Sequence, residues 1–259
     1  MTVLVAFNCT DGVVIAADSM LTPSIGGINV GHHHGQKIAV LPGPQLFAFA
    51  GDLGQNARFR ILAENNHNLI PSRELAIDFP LILTQAIIEQ FKATGINHSI
   101  DANPVLAFGH RGTHHCCVFE GALQPRLLDA DHYYAALGSG KLSADPFLRF
   151  LADVFCSGGR PTVRQGIFLA TWTVQHVIDV NPGGVAGPIR VATFESNGTG
   201  AFNARSLPDT EIAEHQQAIE SAGEALRNWR DQLQSGAAAD DAPALPVAPD
   251  ATAGTAPTA

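Results

Sequence analysis

The chain opens on two short apolar runs rich in β-branched residues, 2–8 and 13–17, parted by Cys9-Thr10-Asp11-Gly12. Runs of this length and composition, split by an Asp-Gly pair, predict a β-hairpin of buried strands. Residues 20–36 break the pattern with Pro23 and four glycines, and predict a loop or ragged hairpin. Strands are expected again at 37–41 and 45–50, around the turn Pro42-Gly43-Pro44. The spacing then lengthens. Residues 52–66 carry Leu53, Ala57, Ile61 and Leu62, and 72–94 carry Leu75, Phe79, Ile82, Leu83, Ala86, Ile87 and Phe91. That period, near 3.6, predicts two helices, with Pro80 as a kink or break in the second. Strands return at 105–109, 114–119, 127–129 and 133–137. Two helices follow at 143–155 and 162–180, the first with Ser143 as expected N-cap and the second with Pro161 just before it. Both look apolar on more than one face, as for helices enclosed within a molecule. Strands at 189–195 and 200–204 and a helix over 209–234 complete the pattern.

The order is strands, a helix pair, strands, a helix pair, strands. A doubly wound parallel sheet needs regular βαβ alternation, which is absent. The order fits an α+β four-layer αββα sandwich: two central antiparallel sheets flanked by helix pairs. Residues 2–234 form the expected domain. Residues 235–259 are rich in Ala, Pro and Asp with little large to bury, and predict a disordered tail.

Composition narrows the function classes. Hydrophobic residues make up 46% of the chain, enough for a large core. With 24 acidic against 15 basic residues, the net charge is −9, which argues against nucleic acid or an anionic membrane as main partner. No apolar run approaches the ~20 residues that cross a bilayer. The start lacks a basic signal-peptide region and has Asn8 and Asp11 near its apolar stretch, so a cytoplasmic setting is expected. Cys9, Cys116, Cys117 and Cys156 form neither a disulfide framework nor a C-x-x-C site, and Cys116 and Cys117 should face opposite sides of one strand. His32-His33-His34 and His114-His115 are contiguous runs whose side chains diverge on a strand, so no metal site is expected. There is no G-x-G-x-x-G and no P-loop, and no cofactor is expected.

The candidate chemistry sits at the chain start. Thr2 follows Met1, and its small side chain permits removal of the initiator methionine. That removal would leave a free α-amine, of ordinary pKa ~7.7–8.0, beside the Thr2 hydroxyl. A hydroxyl needs a base to attack, and an N-terminal threonine can use its own amine.

Five segments then occur in order: Thr2; Gly12-Val13-Val14-Ile15-Ala16-Ala17-Asp18-Ser19; Lys37-Ile38; Phe49-Ala50-Gly51-Asp52; and Gly138-Ser139-Gly140. With Asp179-Val180-Asn181-Pro182-Gly183-Gly184 further on, the chain resembles a proteasome β-subunit over about residues 2–204. This is the N-terminal-threonine branch of the N-terminal nucleophile (Ntn) hydrolases. The resemblance points to the stand-alone bacterial relatives, of Anbu type or the β-proteobacterial proteasome homologue, with HslV peptidase more distant. It implies a threonine endopeptidase cutting peptides or unfolded proteins inside a homo-oligomeric assembly. Any unfoldase partner is unidentified. Two alternatives stand: an Ntn amidase acting on a small non-peptide amide, and a ring-forming scaffold of weak activity.

Roles follow from the resemblance position by position. Thr2 would be the nucleophile and Lys37 the cation that lowers the hydroxyl pKa. Asp18 would hold Lys37, and Gly51 would offer its N–H to the oxyanion. Ser139 and Asp179 would tune the amine. Thr22 and Gly51 would pair with substrate backbone, and Leu21, Ala39, Phe49 and Leu53 would form an apolar specificity pocket. The chain departs from the family in a longer loop between Asp18 and Lys37, in Met20 for the usual arginine, and in Pro182 for the usual serine. Proline offers neither hydroxyl nor amide proton.

Overall fold

The computed structural model describes residues 2–22, 24–25, 28–29, 31–94, 100–181, 184–198 and 200–234. Met1, Pro182 and the expected tail lie outside the described residues.

The first hairpin forms as its sequence implies. Strand β1 (Leu4–Asn8) pairs antiparallel with β2 (Gly12–Ala17), and the Cys9 N–H closes the turn onto the Gly12 carbonyl at 2.8 Å. Every residue of both strands is buried. Period-two alternation sends Val5, Phe7, Val14 and Ala16 to one apolar cluster and Leu4, Ala6, Val13, Ile15 and Ala17 to another. A strand with apolar residues on both faces needs cover on both, and this requirement organises the rest of the chain.

Two short pairs fill the ragged stretch: β3 (Met20–Leu21) with β6 (His33–His34), and β4 (Ser24–Ile25) with β5 (Ile28–Asn29). Then come β7 (Ile38–Leu41), β8 (Gln45–Gly51), helix α1 (Leu53–Asn66), a 3-10 turn (His67–Ser72) and α2 (Asp78–Ala93). The chain continues through β9 (Ala102–His110), β10 (Thr113–Glu120), β11 (Gln124–Leu127), β12 (Tyr134–Leu137), α3 (Lys141–Phe155) and α4 (Val163–Val180). It ends in β13 (Arg190–Ser196), β14 (Phe202–Ser206) and α5 (Asp209–Gln234).

The strands make two five-stranded antiparallel sheets, ordered β12-β1-β2-β13-β14 and β11-β10-β9-β8-β7. One apolar cluster joins residues of both sheets, including Leu4, Ile15, Leu46, Val105 and Cys116. A second joins the first sheet to α3, α4 and α5, and a third joins the second sheet to α1 and α2. The architecture is thus mixed, with helices packed on antiparallel sheets. Cys116 and Cys117 fall in different clusters, as alternation requires, and all four cysteines are free and buried.

Some local expectations need correction. The helix expected over 72–94 begins at Asp78, so Pro80 sits in the first turn, where its missing N–H has no intrahelical partner to lose. Ser143 is not an N-cap, because α3 starts two residues earlier behind Gly140. Helix α3 is not enclosed, since Leu142, Phe150 and Val154 are exposed. The strand expected at 127–129 lies at Gln124–Leu127. Helix α4 starts behind Thr162, whose hydroxyl accepts from the Gln165 N–H while the Gln165 side chain reaches back, a complete capping box.

Candidate active site

Strand order decides where the chain start lies. β1 is an inner strand, between β12 and β2. Its neighbours run antiparallel, so both deliver their C-terminal ends to Thr2. β2 ends next to Asp18, and β12 leads into Gly138-Ser139-Gly140. The Asp18 N–H donates to the Val3 carbonyl (3.2 Å) and the Gly140 N–H to the Thr2 carbonyl (2.9 Å), which fixes the start from both sides. Gly138 has φ of 85°, and a Cβ there would stand 2.3 Å from the Thr2 carbonyl oxygen. Only glycine meets both conditions.

Lys37 enters from the other sheet, just before β7. It is buried, and its Nζ donates to Thr2 Oγ1 at 3.0 Å and to Asp18 Oδ1 at 2.7 Å. Asp18 is fully buried and accepts two further bonds, from the Val3 N–H to Oδ1 and the Met20 N–H to Oδ2, each 3.0 Å. Burial pushes the Lys37 amine below its ordinary range, and the Asp18 carboxylate opposes that shift. The Thr2 N–H donates to Ser139 Oγ at 3.1 Å. A threonine hydroxyl is thus in direct contact with a buried amine, itself anchored by a carboxylate with three donors. Such an ammonium favours negative charge on Oγ1.

Thr2 opens into a cleft of about 860 Å³. Leu21, Thr22, Phe49, Gly51, Leu53 and Ser139 line it. Gly51 has φ of 89° at the end of β8, and a Cβ there would stand 2.3 Å from the Asp101 carbonyl oxygen.

Two expected residues are elsewhere. Ala39 does not line the cleft; it packs on the cluster of Leu41, Phe47 and Phe49 beneath α1, the face that strand alternation gives it. Asp179 is exposed near the end of α4, and its carboxylate accepts from Gln175 Nε2 one helical turn back, at 2.9 Å. It touches neither Thr2 nor Ser139 among the described residues. The reason is local: an i,i+4 partner on its own helix takes the side chain.

Other cleft residues were not foreseen. His33, Asp52, Asp101, Asn103, Glu120 and Lys141 also line it. Glu120 accepts from Lys141 (3.0 Å) and from Arg126 (3.1 Å), and these bonds hold its carboxyl below the usual range despite partial burial. No spacing in the sequence links these positions. Lys141 had a signal, being adjacent to Gly138-Ser139-Gly140. No group of three or more His, Cys, Asp or Glu that could hold a metal occurs among the described residues, and no helix among them is long and apolar enough to cross a membrane.

No family model matches the sequence, and no curated protein matches it. Solved structures do match. The ancestral β-subunit protein Anbu from Yersinia bercovieri superposes with a TM-score of 0.63 at 16% identity, covering 89% of this chain and 97% of that one. An Anbu (Gly-1) mutant from Hyphomicrobium sp. strain MC1 gives 0.64 at 17% identity, covering 90% and 100%. The helical assembly of the Anbu complex from Pseudomonas aeruginosa gives 0.63 at 16% identity, covering 87% and 96%. At such identity the likeness is one of fold, and it spans nearly the whole of each relative: this chain is built on the fold of the Anbu, or ancestral β-subunit, proteins.

Proposed function

We propose that the chain is a threonine endopeptidase of the proteasome type, a four-layer αββα Ntn hydrolase whose residues 2–234 form one domain and whose copies assemble. The observation that carries this reading is the contact of Lys37 Nζ with Thr2 Oγ1 at 3.0 Å, with Asp18 behind it. A buried lysine held against an otherwise ordinary hydroxyl has no structural need that a leucine would not meet better.

The chemistry follows from the geometry. Removal of Met1 frees the Thr2 amine, which Ser139 Oγ neighbours. The amine takes the Oγ1 proton, directly or through water, while the Lys37 ammonium steadies the growing charge. Oγ1 attacks the substrate carbonyl carbon, and the oxyanion forms against the Gly51 N–H. The amine returns the proton to the leaving nitrogen, leaving an ester on Thr2. Water, deprotonated by the same amine, attacks that ester and frees Oγ1. Asp179 has no part in this scheme.

The cleft supports a peptide over a small amide. It is large, and Thr22, just after β3, and Gly51, at the end of β8, line it, against which an extended chain could pair. Assembly is supported by the matching fold of an Anbu complex described as a helical assembly. The test is intact-mass spectrometry after treatment with a peptide epoxyketone. Loss of Met1 and one adduct on residue 2, absent in Thr2→Ala, support the proposal. Retention of Met1 with no adduct refutes it.

A further inference from the structure

The cleft has walls of two chemistries. Leu21, Phe49 and Leu53 offer apolar surface, while Asp52 and Asp101 bring carboxylates to the Gly51 end. Asp101 is fixed through its backbone. Its N–H donates to Gln55 Oε1 (2.8 Å) and its carbonyl accepts from the Asp52 N–H. Its side chain lies against Gly51, where a Cβ would stand 3.0 Å from Asp101 Oδ1. Asp52 caps α1, with Oδ1 accepting from the Gln55 N–H at 2.7 Å. Neither carboxylate is in an ion pair among the described residues. Glu120, on the same cleft, differs: Lys141 and Arg126 already neutralise it.

Gly51 is also where the proposed oxyanion would form, so these carboxylates flank the residue whose carbonyl is attacked. A purely apolar side chain there would strip water from two anions and return nothing. A cation on a long apolar stem satisfies both walls, with the methylenes along Leu21, Phe49 and Leu53 and the charge at the carboxylates. The geometry points to a cleft selective for lysine or arginine on the acyl side of the cut bond, with Asp101 as the specificity-determining residue and Asp52 beside it. This rests on the peptidase reading and replaces the apolar preference expected from sequence.

Three peptide epoxyketones identical except for Arg, Leu or Glu beside the warhead provide the test, with the adduct on Thr2 timed by intact mass. Arg is expected to label faster than Leu by roughly tenfold, the scale of one partly exposed charged hydrogen bond, with Glu slowest. Asp101→Asn should bring the Arg-to-Leu ratio towards one and speed labelling by the Glu probe, a gain that a misfolded protein could not give. Asp52→Asn, which keeps the helix cap, should lower the ratio part-way. Leu labelling as fast as Arg, or an Arg-to-Leu ratio untouched by Asp101→Asn, overturns the inference. If no probe reacts, the peptidase reading falls, and the inference is then decided by fluorescence anisotropy of the same peptides without warheads. Tighter binding of the Arg peptide that Asp101→Asn abolishes sustains it, and equal binding overturns it.

Discussion

Replacing Lys37 by Met and Asp18 by Asn, singly and together, tests the centre of the site. The two side chains are 1% and 0% exposed and 2.7 Å apart. Lys37→Met leaves the Asp18 carboxylate buried with only the amides of Val3 and Met20 as donors. Asp18→Asn leaves the Lys37 ammonium with a neutral partner and Thr2 Oγ1, and turns an amide NH2 group towards a backbone N–H. Removing one partner of a buried pair costs about 3–5 kcal/mol, because the other charge stays uncompensated. That is a large share of the 5–15 kcal/mol typical of a folded domain. The double variant has no stranded charge, so its loss should fall at least ~2 kcal/mol short of the sum of the singles. The assay is urea unfolding followed by tryptophan fluorescence at pH 7. Protein concentration is held fixed because assembly would shift the midpoint. Epoxyketone labelling at Thr2 should be lost in all three variants, including the double variant with its less-than-additive loss of stability. A Lys37→Met loss below ~1 kcal/mol, the scale of an exposed pair, or a strictly additive double variant, would refute the reasoning.

Further outcomes are expected elsewhere in the molecule. Burial, with help from His110 and His114, lowers the His115 pKa from 6.5 to about 4. Between those values the unfolded chain binds more protons than the folded one, so stability should fall as pH drops from 6.5 to 4. His115→Phe should flatten that part of a Tm-against-pH curve; an unchanged slope would show that other groups cause it. Gly138→Ala forces a side chain into φ of 85° and against the Thr2 carbonyl, and should lower stability by about 1–3 kcal/mol or more in denaturant titration. Ser139→Ala removes the acceptor of the Thr2 N–H and should slow labelling roughly tenfold, one hydrogen bond's worth, with little change in Tm; full activity would rule out a positioning role. Thr162→Ala breaks the capping box of α4 and should cost ~1 kcal/mol in thermal or urea unfolding.

Local sequence set the elements whose signals are local. The β-branched runs gave β2 to within one residue and β1 to within two, and Asp11-Gly12 gave their turn. Thr162 with Gln165 started α4, the apolar period gave α1 and the body of α2, and the helix expected over 209–234 is α5. Thr2, Asp18, Lys37, Gly51 and Ser139 were also legible, through their resemblance to an ordered set of family segments. They come together because each stands beside a strand end: antiparallel pairing brings Asp18 and Ser139 to Thr2 within one sheet, and packing of the second sheet against the first brings Lys37 and Gly51. What sequence could not decide is which way a side chain turns when two partners compete. Asp179 stands where the resemblance put it in the chain, yet Gln175 takes its carboxylate. Ala39 is on a neighbouring strand, but the pleat turns it under α1. The cleft's charged lining depended wholly on tertiary structure. Asp101 reaches Gly51 because β8 pairs with β9, and Glu120 meets Lys141 across 21 residues of chain. A propensity acts between neighbours in sequence, whereas the field inside a cleft is set by residues that only folding makes neighbours.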